Sequence, residues 1–240
     1  MKKVLLFMAI IGTLQAVAQW PWEKIEGNGH VKKETRQTGS FTAVSSSGSW
    51  DVMIGYGESG SIQVEGDENL LPYIETEVEN GKLMIRNKKK VNLRSKNKIT
   101  VYVSLTRLTG VSLSGSGDVI GKGRFSNNGE TKFSVSGSGG IRMELDKVSS
   151  AQVSVSGSGN VQLSGSAGSI DARISGSGNV DCASFITDDA NAHISGSGNI
   201  RLNANKRIDA SISGSGNVSY KGAATDVKKH TSGSGRVVKV

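Results

Sequence analysis

From residue 110 onward the chain alternates apolar and polar residues, and the alternation restarts about every twenty residues. A pentapeptide stands at each restart. It is SGSGD at Ser114–Asp118, SGSGG at Ser136–Gly140, and SGSGN at Ser156–Asn160 and Ser175–Asn179. SGSGN recurs at Ser195–Asn199 and Ser213–Asn217, and SGSGR closes the series at Ser232–Arg236. The first serines lie 22, 20, 19, 20, 18 and 19 residues apart. With that serine as position 0, positions −3, −1, +5 and +7 are apolar in most copies, as in Val153, Val155, Val161 and Leu163. In an extended chain residues of one parity share a face. These positions and both motif glycines therefore point inward, and the serines point outward. A flexible Gly/Ser linker would keep no such register.

Position +4 is Asp118, Gly140, Asn160, Asn179, Asn199, Asn217 and finally Arg236. Gly, Asn and Asp best tolerate positive φ. The pattern predicts a left-handed corner at +4 in preference to a hydrogen-bonded ladder of Asn side chains, although the two are compatible.

About eight residues with one or two apolar positions separate the copies. Each unit thus reads as strand, Gly-rich corner, strand and short return leg, and no such unit buries its apolar side alone. Stacking predicts an all-β fold, a right-handed parallel β-helix (β-solenoid) with coils of about 20 residues. At ~4.8 Å per coil, about nine or ten coils would give a rod on the order of 45 Å long. A β-sandwich is the alternative, but it requires no identical pentapeptide at every turn. Ser47–Asp51 (SGSWD) matches the motif with Trp50 at +3, so residues 38–109 read as about three degenerate coils of the same period. Residues 110–236 carry the regular repeats, 38–240 form one domain, and 19–37 form a loose leader.

Residues 1–18 read as a secretory signal peptide: basic Lys2 and Lys3, an apolar run from Val4 to Ile11, and Ala16-Val17-Ala18 as cleavage site. No later segment is long and apolar enough to span a membrane, which places the mature chain in the periplasm, at the cell surface or outside the cell. Cys182 is the single cysteine, so no disulfide framework exists. At +7 it reads as core filler. Without Lys2 and Lys3 the net charge is +6, from 27 bases and 21 acids. From Glu58 to Glu79 there are seven acids and no base, and from Lys82 to Lys98 eight bases and no acid.

The segment Asn69-Leu70-Leu71-Pro72-Tyr73-Ile74-Glu75-Thr76-Glu77-Val78, the strand Lys82–Arg86 and the seven SGSG copies together resemble the bacterial head GIN domain family over about residues 38–236. Its members are described as autotransporter adhesin heads. The resemblance implies a right-handed β-helix, export and an adhesin role without a defined ligand. Read to Val240, the chain is expected to carry neither a translocator barrel nor a C-terminal sorting module.

Candidate chemistry is sparse. His193 and His230 occupy outward position −2, two repeats apart, which is too far to share a metal; no metal site and no cofactor is implied. Asp188 and Asp189, with Asp171, Asp209 and Asp226, lie on return legs, where a row of carboxylates would suit a polysaccharide lyase or hydrolase. Surface solvation accounts for them more simply. Calcium-binding nonapeptides need an Asp in every turn at period nine, which is absent. Lys88, Lys89, Lys90 and Arg94 form a candidate patch for an anionic ligand. Nucleic acid is not expected, because no aromatic is interleaved with these bases. They are also placed to neutralise the acidic stretch 58–79 from a neighbouring coil. The expected function is a non-enzymatic binding module for surface glycans or a cell-surface protein, with a structural envelope protein as a further alternative. Its candidate surface is the outward stripe of Ser116, Ser138, Ser158, Asn160, Ser177, Asn179, Ser197, Asn199, Ser215 and Asn217.

Overall fold

The computed structural model describes residues 22–240; the signal peptide and the first three residues of the expected leader lie outside the described residues. The described chain contains no α-helix, only one 3-10 turn at Leu71–Tyr73. It opens with β1 (Glu23–Glu26), β2 (Val31–Gln37), β3 (Ala43–Gly48) and β4 (Asp51–Tyr56). Then come β5 (Ser61–Asp67), β6 (Ile74–Glu79), β7 (Lys82–Asn87), β8 (Val91–Arg94), β9 (Thr100–Leu105) and β10 (Gly110–Gly115). Five long strands follow: β11 (Asp118–Gly137), β12 (Gly140–Gly157), β13 (Asn160–Gly176), β14 (Asn179–Gly196) and β15 (Asn199–Gly214). The chain closes with β16 (Asn217–Lys221), β17 (Asp226–Ser232) and β18 (Arg236–Lys239).

Each long strand runs from one pentapeptide into the next and bends on the way, so one strand is nearly one coil. Neighbouring coils pair in parallel with the motifs in register: Ser136 lies beside Ser156, Ser156 beside Ser175, and Ser175 beside Ser195. The alternation buries what it predicts: Val153, Val155, Val161 and Leu163 lie in one continuous core. Each such side chain contributes roughly 1.5–3 kcal/mol by leaving water. Register shifts fall on the return leg, as between Leu145 and Val148 or between Asp181 and Ile186. Coil length can therefore vary while the corner stays fixed.

The corner cannot vary, because its own backbone is hydrogen-bonded from coil to coil. Ser158 N–H donates to the Gly137 carbonyl at 3.0 Å, and Ser177 N–H donates to that of Gly157 at 2.9 Å. The motif's first glycine carries the left-handed conformation, with φ between 109° and 141° from Gly115 to Gly233. A Cβ on Gly196 would collide with the Gly176 carbonyl of the coil before it. The obstacle at +1 is thus the neighbouring backbone and not the core interior. The second glycine is the one that faces the core: a Cβ on Gly178 would stand 2.6 Å from a Val155 methyl.

The structure corrects the expected left-handed corner at +4. Asn80 and Lys90 are the only non-glycine residues with positive φ among the described residues, and the +4 column is not among them. The corner turns at +1, where glycine meets both the conformational and the steric demand.

The N-terminal region also differs from expectation. Ser47 lies directly beside Ser114 and Gly48 beside Gly115, so the 67 residues between these serines advance the stack by one coil and not three. The regular array accordingly makes about six turns, not nine or ten. The chain enters at β3–β4 and steps outward to lay β7 beside β3 and β9 beside β4. It then passes back over β3 to place β10 on the inner side. Antiparallel strands close the outer end: β6 on β7, and β2 and β9 on either side of β5. Residues 22–37 are therefore not a loose leader, since β2 pairs along its whole length with β5 and β1 pairs with β8.

Buried polar groups secure this cap. Trp50 donates Nε1–H to Ser46 Oγ at 3.0 Å, which explains a buried serine at a −1 position that is otherwise apolar in most copies. Asp67 is fully buried. It accepts from the Lys96 and Asn97 backbone N–H groups and from Asn97 Nδ2.

Candidate functional site

Two columns of side chains face outward beyond the corner. The +4 column runs Asp118, Gly140, Asn160, Asn179, Asn199, Asn217, Arg236 in strict register. Its asparagines form a ladder: Asn179 Nδ2 donates to Asn160 Oδ1 at 2.9 Å, Asn199 to Asn179 at 3.0 Å, and Asn217 to Asn199 at 3.2 Å. The side-chain explanation thus prevails over the conformational one. Beside it the +6 column runs Ile120, Arg142, Gln162, Asp181, Arg201, Ser219. Arg142 Nε donates to Gln162 Oε1 at 3.0 Å, and Arg201 pairs with Asp181 at 3.4 Å.

The serines Ser116, Ser138, Ser158, Ser177, Ser197 and Ser215 are exposed and lie on the corner itself, next to the ladder. Where Gly140 interrupts the ladder, a cleft of about 370 Å³ opens between Asp118 and Asn160, with Arg142 and Gln162 alongside. Sequence reading placed Asn160 and the serines here but missed Asp118, Arg142 and the glycine gap. The signal was present: Gly140 is the one residue in the inner +4 series without a side chain.

Lys88, Lys89, Lys90 and Arg94 are exposed at the capped end, remote in sequence from the repeats, and enter no ion pair among the described residues. The acidic stretch is answered within the capped end: Glu65 and Glu68 pair with Lys33 and Lys32 of β2 at 2.9 and 2.8 Å. Arg86 on β7 reaches Glu75, Glu77 and Glu79 on β6 at 3.1, 3.2 and 3.0 Å. The repeat-region acids make no single row. Asp189, Arg207 and Asp226 lie in one column, and Asp171, Asn191 and Asp209 in another. Asp188 pairs with Lys206 at 2.9 Å and Asp171 with Arg173 at 2.8 Å. His193 and His230 flank Ser211 in register, two coils apart. No group of three His, Cys, Asp or Glu able to hold a metal occurs among the described residues. Cys182 is buried, and burial, followed by the charge of Asp181, pushes its thiol well above the usual range.

Residues 40–224 match the family described as "Putative auto-transporter adhesin, head GIN domain". The chain belongs to this family. Solved structures share the head GIN fold. A "putative adhesin" from Bacteroides fragilis superposes with a TM-score of 0.83 at 22% identity, over 90% of this chain and 100% of that one. A "putative adhesin" from Parabacteroides merdae gives 0.72 at 25% identity, over 91% and 99%. A "putative lipid binding protein" from Parabacteroides distasonis gives 0.73 at 25%, over 91% and 100%. No curated protein matches this head GIN chain. No helix among its described residues is long and apolar enough to cross a membrane.

Proposed function

We propose that this head GIN domain is an exported, non-enzymatic adhesin module whose Ser/Asn stripe contacts a surface glycan or a cell-surface protein. The observation that carries this reading is the strict register of exposed polar side chains on a rigid stack. Six serines and four asparagines repeat along the axis at the ~4.8 Å spacing of paired strands. Asn179 and Asn199 spend both Oδ1 and one N–H on their neighbours, so the serine hydroxyls and the remaining amide N–H groups are what a ligand meets. Single neutral hydrogen bonds are worth only about 0.5–1.5 kcal/mol. Affinity would therefore come from several coils engaged together.

The pairing of Asp188, Asp189 and Asp171 with bases in or beside their own coils favours this reading over a polysaccharide-cleaving one. Fractionation of cells into periplasm, surface and medium, followed by binding of labelled protein to whole cells, tests it. The combined Ser158→Glu, Ser177→Glu, Ser197→Glu variant should lose cell binding with its fold intact. A Lys88→Gln, Lys89→Gln, Lys90→Gln variant should bind as before. The reverse outcome, with salt-sensitive binding, would move the site to the basic patch.

A further inference from the structure

Three groups converge on the Gly140 gap with hydrogen-bonding capacity unused among the described residues. Asp118 donates its backbone N–H to Asp51 Oδ1 at 3.1 Å, but its own carboxylate has no partner. Its Oδ1 lies 2.8 Å from where a Cβ on Gly140 would sit, so the carboxylate leans over the gap. Asn160 uses Oδ1 to accept from Asn179, and its Nδ2 donates to nothing. Arg142 uses Nε on Gln162 and leaves both Nη groups free. Asp118 and Asn160 stand two coils apart, about 9.6 Å at the spacing of paired strands. The cleft of about 370 Å³ falls in the lower range of ligand sites, which starts near 300 Å³. Ile120, partly exposed at its edge, adds apolar surface.

We infer that this gap is the primary sugar subsite of the adhesin, taking one pyranose unit with adjacent free hydroxyls from a neutral glycan. The inference rests on the adhesin reading and narrows it. A carboxylate accepts from two neighbouring hydroxyls at once, and such charge-assisted bonds are stronger than neutral ones. The Asn160 amide and the Arg142 guanidinium donate to the remaining ring or hydroxyl oxygens. Ile120 faces the C–H side of the ring. The charges of Asp118 and Arg142 cancel, and Asp181 is already paired with Arg201, so the cleft favours a neutral unit over a uronate. The rest of the glycan would continue along the rod past Asn179.

Gly140→Asn is the decisive variant, because four coils already carry Asn at this position without positive φ. The new amide would join Asp118 to Asn160 and complete the ladder while filling the cleft. The experiment measures binding of the full chain to immobilised neutral oligosaccharides from dextran, mannan and laminarin, and to polygalacturonate oligomers, with the thermal midpoint recorded. The wild type should bind at least one neutral probe. Gly140→Asn should weaken that binding about tenfold or more with the midpoint unchanged or raised, and Asp118→Ala should do the same. Undiminished binding by Gly140→Asn, binding to polygalacturonate alone, or no neutral binding by the wild type would each overturn the subsite. Cell binding abolished by the triple Ser→Glu variant but untouched by Gly140→Asn would remove the subsite and leave the adhesin reading standing. Absence of both cell and glycan binding would remove both.

Discussion

The 67-residue first coil and the coils of about twenty residues that follow it share one corner geometry but are stabilised differently. In the regular coils every contact that matters lies one period away. Serine pairs with serine, glycine stacks on glycine, and the core is a column of branched apolar residues with Phe125, Phe133 and Phe185 among them. In the first coil the strands run both parallel and antiparallel, and single polar groups such as Asp67 with Asn97 and Arg36 with the Leu71 carbonyl tie distant segments together. A repeat can be stable by nearest-neighbour pairing alone, whereas its end must be closed by something unlike the repeat. The antiparallel strands β2 and β6 do this here, and they keep the outermost parallel strands from templating further chains.

The largest effect that separates the two regions is expected at positive-φ glycines. Gly196→Val places a side chain against the Gly176 carbonyl in a left-handed conformation, and should cost several kcal/mol in urea unfolding. Ser195→Thr beside it should be mild. Gly81 in the β6–β7 hairpin also has positive φ, but a Cβ there meets nothing within 4 Å. Gly81→Ala should cost only about 1 kcal/mol. Similar losses at both sites would mean that coil-to-coil approach is not what selects the motif glycine.

Acid should loosen the first coil before the repeats. Burial tends to raise the Asp67 carboxyl, but hydrogen bonds from Asn97 and from the Lys96, Asn97 and Gly29 backbone outweigh it and hold the group below the ordinary carboxylate value. A depressed folded pKa contributes stability that is complete above about pH 4 and is lost as pH falls through the folded value. The protection factors of the Lys96 and Asn97 amides, corrected for intrinsic exchange, should therefore fall in acid while those of Val155 and Ile174 hold. Asp67→Ala should cost roughly 1–3 kcal/mol and remove this pH dependence. Uniform acid exchange along the chain would show the two regions to be one cooperative unit.

A smaller effect is expected at Asn199. Asn199→Val should lose the two ladder bonds at roughly 1 kcal/mol, and Asn199→Gly should cost at least as much, because glycine adds backbone entropy in a strand. A neutral Asn199→Gly would restore the left-handed corner at +4.

These contrasts also mark how far the residues alone could be read. The parity of Val153, Val155, Val161 and Leu163 predicts their burial, because side-chain direction in a strand follows position in the chain. The ladder was visible as a column of asparagines, yet Asn suits a left-handed corner equally well, and composition cannot separate the two. The register of Ser47 with Ser114 was hidden because 67 residues is close to three periods of the repeat, and because antiparallel pairs such as Val64 with Val101 carry no periodic mark. At Gly140 the missing side chain was visible in the sequence, but the cleft was not. A missing side chain becomes a site only when Asp118, Arg142 and Asn160 from three successive coils are set around it.

Local alternation and a repeated corner thus determined the stacked β-coil, its core and its outward stripe, because each depends on contacts that recur one coil away. The capped end, the turn at the first motif glycine and the cleft at Gly140 were decided by tertiary structure. Each arises where a backbone carbonyl, a buried carboxylate or a neighbouring coil acts on a residue from outside its own segment.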